Sequence, residues 1–142
     1  MSSDARPRPA VTSPVLLVVS GAMVSRPAIT RTARLAASAP VIVVGLAGES
    51  PAEIEEARRA VALAMTALGN TGVMAYAHIA ATGSPARAIA RVARARGARM
   101  VVLDQHVGLA AELRRRMYGA GITVLSVTAP TSRRPGPRDL AR

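Results

Sequence analysis

The 142-residue chain has no cysteine, no tryptophan and no phenylalanine, and its only aromatic residues are Tyr76 and Tyr118. Without cysteine there is no disulfide framework, no thiolate metal site and no cysteine nucleophile. A reducing cytoplasm is compatible with that composition, and it is the expected location. Without large aromatics the core must be built from Val, Leu, Ile, Met and Ala, so its helices can lie close to their neighbours. The same absence removes the stacking platforms on which single-stranded nucleic acid is held. No apolar run approaches the roughly 20 residues of a membrane span. Residues 15–24, following Arg6 and Arg8, superficially resemble a secretory signal, but the run is short and serves as the first strand of the pattern below. Lysine is absent too, so all 19 basic residues are arginine and the formal net charge is +11. Such a balance favours weak attraction to polyanions, although without stacking aromatics a solvated arginine surface is the better account of it.

What is present is a repeating alternation. Residues 1–13 are polar with Pro7 and Pro9, and read as a disordered arm. Val15-Leu16-Leu17-Val18-Val19 is an unbroken aliphatic run ending at Ser20-Gly21, the signature of a strand covered on both faces. Pro27 suits the first turn of a helix whose inner face is Ala28, Ile29, Ala33, Ala36 and Ala37. Val41 to Val44 form a second strand, leaving through residues 45–48. Ser50-Pro51-Ala52-Glu53 predicts a capped helix start, with Glu53 closing a capping box. Ile54, Ala57, Val61, Met65 and Leu68 form its stripe, and Gly69-Asn70-Thr71-Gly72 is turn chemistry. Residues 73–79 predict a third strand. Ser84-Pro85 predicts a second cap-and-proline start, for a helix with Ile89, Val92 and Ala93 inward and closed by Gly97. Met100 to Leu103 form the fourth strand. A short helix from Leu109 to about Tyr118 and a fifth strand, Ile122 to Val127, complete the series, with Met117 and Tyr118 expected in the core or at a dimer seam. The Pro/Arg stretch 131–142 reads as a disordered tail.

Strict β-α alternation with buried strands implies one α/β domain, residues 14–130, built on a parallel sheet with helices on both faces. In such sheets ligands lie beyond the carboxyl ends of the strands, where the strand order reverses. Residues 20–26 and 104–108 are the candidate loops. Asp104, Gln105 and His106 are either a small-ligand site or a polar loop whose side chains cap the following helix. His78 and Asp104 do not make a metal site. Ser20, His106 and Asp104 lack the Gly-x-Ser-x-Gly elbow of a hydrolase. Arg87, Arg91 and Arg94, with Arg114, Arg115 and Arg116, form basic stripes that suit a nucleic-acid backbone or plain solvation.

Three stretches resemble the universal stress protein family. Gly83-Ser84-Pro85-Ala86 followed by Ile89 is similar to that family's Gly-x-Pro-Ala-x-x-Ile helix start. Residues 93–102 look like its helix, Gly-Ala-Asp, strand junction, with Arg99 in place of the acid. The first strand running into Ser20-Gly21, with Ser25 and an Ala-rich helix, is the third. The resemblance implies a five-stranded α/β fold of strand order 3-2-1-4-5 and a homodimer joined through the last strand, here Thr123, Val124, Leu125, Ser126 and Val127. ATP-binding members carry Asp at the end of strand one, where this chain has Ser20. They carry Gly-x-x-Gly after strand four, where this chain has Asp104-Gln105-His106-Val107, and the connection to the last strand is about nine residues short. Asp104 would put a carboxylate where phosphate oxygens should sit. The resulting expectation is a non-enzymatic stress or regulatory protein that acts through dimerisation and an unidentified protein partner, with no cofactor and with ATP binding lost or weak. The alternatives are a member that holds an adenine nucleotide by altered contacts at Ser20, Gly21, Asp104, Gln105 and His106, or a basic nucleic-acid-associated protein.

Overall fold

The computed structural model describes residues 13–21, 24–105 and 107–127. The expected arm, apart from residue 13, the expected tail, and the candidate His106 lie outside the described residues. Among the described residues nine elements alternate: β1 Val15–Ser20, α1 Arg26–Ala36, β2 Val41–Ala47, α2 Pro51–Gly69, β3 Ala75–Ala81, α3 Pro85–Arg96, β4 Met100–Asp104, α4 Val107–Arg116 and β5 Thr123–Val127. The strands form one parallel sheet in the order β3-β2-β1-β4-β5.

Strand periodicity divides the core into two layers. Leu16, Val18, Ile42, Val44, Val101 and Leu103 pack against Ile89 of α3, Leu113 of α4 and Met117 in the turn after α4. Val15, Leu17, Val19, Val41, Val43 and Val102 pack on the other face, against Ile29, Val61 and Leu68 of α1 and α2. Burial on both faces explains why β1, β2 and β4 read as unbroken aliphatic runs. Alanine does the close packing: Ala57, Ala60 and Ala64 bring α2 down on the sheet. Gly45 is what admits it. A Cβ there would stand 2.6 Å from Val61 Cγ2 and 3.2 Å from the Ala57 carbonyl oxygen.

Several boundaries differ from the sequence reading. Strand two runs through Gly45 to Ala47, because glycine here serves helix packing and does not end the strand. Strand three starts at Ala75, two residues later than expected. The Val73 N–H turns back to the Leu68 carbonyl at 3.2 Å to close α2, and pairing with β2 begins where Val41 N–H meets the Met74 carbonyl at 2.9 Å. The capping box at Ser50 and Glu53 is present as expected. Ser84, by contrast, makes no side-chain cap. Its N–H donates instead to Thr82 Oγ1 at 2.9 Å. Ala37 does not join the inner face of α1. It is exposed and ends the helix at φ 51°, ψ −109°. Met117 is core, but Tyr118, in the turn after α4, is 91% exposed.

Candidate functional site

β1 and β4 lie side by side at the centre of the sheet, and the chain leaves them in opposite directions, to β2 and to β5. The crevice at their carboxyl ends is therefore the switch point of the fold. Ser20 and Gly21 stand at the end of β1, and Asp104 and Gln105 at the end of β4. The topology thus brings together four of the five candidate ligand residues.

Alternation along β4 decides where Asp104 points. Leu103 faces α3 and α4, so Asp104 faces α1. Asp104 is 4% exposed, and its carboxylate meets the first turn of α1. Ser25 N–H donates to Oδ2 at 2.9 Å, and Ser25 Oγ donates to Oδ1 at 2.8 Å. Ser25 is the N-cap of that helix, and its Oγ also accepts from Ala28 N–H at 3.2 Å. The carboxylate therefore sits at the positive end of the α1 dipole, where a helix start attracts an anion. The expectation that this loop caps the following helix is corrected: Asp104 engages a helix start 79 residues earlier in the chain.

Ser25 is the residue whose role the sequence reading missed, although Ser25-Arg26-Pro27 sets a serine cap before a first-turn proline, one residue further apart than the Ser50-Pro51 that marked α2. Gln105 is exposed and left-handed at φ 64°, a conformation that favours glycine. Its N–H is anchored to the Val127 carbonyl at 2.8 Å, which fixes the turn despite the side chain. Both Asp104 oxygens are engaged. Among the described residues no three His, Asp, Glu or Cys side chains are grouped as a metal site would need. His78 lies on β3, with β2 and β1 between it and β4. A recess of about 360 Å³ opens at the same end of the sheet, lined by Leu46, Ala47, Gly48, Thr82, Pro85 and Leu109.

The six arginines of the expected basic stripes are not equivalent. Arg94 donates to the Arg116 carbonyl at 2.7 Å, Arg114 donates to the Val124 carbonyl at 3.0 Å, and Arg116 pairs with Glu112 at 3.1 Å. All six are exposed, and Arg87, Arg91 and Arg115 make no such contact among the described residues. Charge is nevertheless one-sided among the described residues. On the α3–α4 layer, Arg87, Arg91, Arg94, Arg96, Arg99 and Arg114 to Arg116 stand against one acid, Glu112. Glu49, Glu53, Glu55 and Glu56 all lie at the start of α2. In β5, Thr123 N–H and the Val127 carbonyl turn toward β4, so Val124 and Ser126 turn their backbone groups to the open edge. The Arg114 bond covers one of those groups.

The fold and its switch point define a doubly wound α/β protein of one domain. More narrowly, the fold is that of the universal stress proteins. A universal stress protein family member from Burkholderia pseudomallei superposes with a TM-score of 0.67 at 24% identity, covering 83% of this chain and 97% of that one. A universal stress protein from Archaeoglobus fulgidus superposes at 0.66 with 20% identity, covering 80% of this chain and 91% of that one. The Archaeoglobus fulgidus protein in complex with dAMP superposes at 0.66 with 21% identity, over 80% of this chain and 95% of that one. No protein-family model and no curated protein matches the sequence.

Proposed function

We propose that this chain is a non-enzymatic, cytoplasmic, universal-stress-protein-like regulator that has given up the usual ATP-binding loop and acts through dimerisation and partner contacts. The observation that supports it is the Asp104 carboxylate, buried at the N-terminus of α1 and held by two hydrogen bonds from Ser25. A helix start that would attract a phosphate is already satisfied by the protein's own anion. A phosphate about 4 Å from that carboxylate would be repelled by about 4 kcal/mol at an effective dielectric near 20, roughly several hundred-fold in affinity. Gln105 in place of glycine adds a side chain where backbone N–H groups would need to approach closely.

Dimerisation through Thr123 to Val127 belongs to the same reading, and it requires Arg114 to release the Val124 carbonyl. A second reading, an adenine nucleotide held by altered contacts, is favoured by the neighbour solved with dAMP. Nucleotide content separates the two. Freshly purified protein is denatured, and the supernatant is analysed for ATP, ADP and cyclic AMP. A nucleotide-free supernatant is expected, and stoichiometric nucleotide overturns the first reading in favour of the second.

A further inference from the structure

The two edges of the sheet are treated differently. At β5, Arg114 covers an outward carbonyl. At β3 nothing comparable occurs among the described residues. The Met74 carbonyl and Thr82 N–H bond to β2, so the backbone groups of Ala75, Ala77, Ile79 and Ala81 turn to the open side. The strand is seven residues long and contains no Lys, Arg, Asp, Glu or Pro, the devices by which edges are normally blunted. Met74, just before the strand, and Tyr76, within it, are exposed by 64% and 50%. Beside this edge, between β3 and α3, runs a groove of about 460 Å³ with Ala80, Ala88 and Val92 in its lining and His78, Arg91 and Arg96 among its polar groups. Arg91 and Arg96 have no hydrogen bond or ion pair among the described residues.

We infer that the β3 edge and the β3–α3 groove receive an extended, acidic segment of a partner protein, which adds to the sheet as a sixth strand. Backbone pairing would come from Ala75, Ala77, Ile79 and Ala81. Alternate side chains of the incoming strand fall over the groove, small apolar ones against Ala88 and Val92 and carboxylates against Arg91 and Arg96. Charge decides the occupant. The α3–α4 layer carries its arginines against one acid, so a second copy paired here would bring Arg91 and Arg96 against their own kind, and an acidic strand would neutralise them. The inference rests on the partner contacts of the proposed function and gives them a surface. Nucleotide content tests that function, and peptide binding tests this surface, so the two fail separately.

The test uses the full chain and a capped eight-residue peptide whose groove-facing alternate positions carry valine and glutamate in turn, with threonine at the positions between, and a version with lysine for glutamate as control. The acidic peptide is expected to bind at least about tenfold more tightly than the lysine peptide, with affinity falling as salt rises. Binding should slow hydrogen exchange at the amides of Ala75, Ala77, Ile79 and Ala81. Ala77→Pro removes an outward N–H without costing a bond to β2, and should weaken binding by about tenfold or more while the melting curve stays cooperative. Should Ala77→Pro fail to fold, the paired charge reversal Arg91→Glu with Arg96→Glu, both exposed, should produce a comparable loss. Any of four results overturns the proposal: no binding at millimolar peptide, unchanged exchange along β3, equal binding by the lysine peptide, or complete displacement by inorganic phosphate or duplex DNA. The last would make the groove a plain polyanion site.

Discussion

Removing the Asp104 carboxylate tests the central contact of the molecule. In Asp104→Ala two charge-assisted hydrogen bonds disappear, and bonds to charged groups contribute about 1.5–3 kcal/mol each. The favourable placement at the α1 N-terminus, about 0.3–1 kcal/mol, goes with them. Part is recovered because Ser25 is only partly buried and water can reach its N–H and Oγ. The net loss is expected to be about 2–4 kcal/mol, a large share of the roughly 5–15 kcal/mol that holds a domain together. For a folded part of this size that is a fall in Tm of about 8–16 °C. Ser25→Ala removes the Oγ bond to Asp104 and the cap on Ala28 but keeps the backbone bond, and should cost about 1–2 kcal/mol. The two losses should not add: a coupling of about 1 kcal/mol or more is expected from a double-mutant cycle, read by urea unfolding. An Asp104→Ala protein that melts within about 2 °C of the parent would refute the reasoning. So would additive single losses. The nucleotide side is read separately in Asp104→Asn, which removes the charge at nearly constant shape. If the carboxylate is what repels phosphate, ATP affinity by calorimetry should rise by about two to three orders of magnitude.

Three further outcomes follow from particular positions. Gly45→Ala forces a methyl against Val61 and the Ala57 carbonyl. It should destabilise by about 1–3 kcal/mol, seen as a lower urea midpoint at unchanged slope. Ala37→Gly relieves a positive-φ backbone at the end of α1, and should stabilise by about 1 kcal/mol, a Tm rise of about 3–5 °C by calorimetry. Arg114→Ala uncovers the Val124 carbonyl on the β5 edge. Sedimentation should then show a larger dimer fraction, whereas an unchanged monomer–dimer balance would remove β5 as the seam.

The class of fold is legible in the residues because its signals are local. Aliphatic runs without alternation mark strands covered on both faces, and Ser50-Pro51-Ala52-Glu53 specifies a helix start through bonds that close within one turn. Gly97, left-handed at φ 69°, ends α3 where the residue type says it should. The candidate residues at the strand ends are legible for the same reason: once the strands are placed, residues 20–21 and 104–105 must stand at their carboxyl ends.

Long-range geometry decided the rest. That Asp104 serves the start of α1, and not the helix that follows it, depends on β4 lying beside β1 and on the side-chain alternation that turns one residue in two toward α1. No local pattern carries that information across 79 residues. The same holds for Gly45, which reads as a strand end in sequence and is a strand interior made bare for α2. It holds as well for the unequal edges, where Arg114 reaches the Val124 carbonyl of β5. Composition and periodicity determined which segments are strands and helices and where their ends gather. Only the tertiary structure decided which charge fills the helix start at the switch point, because an anion's partner is set by distance in space.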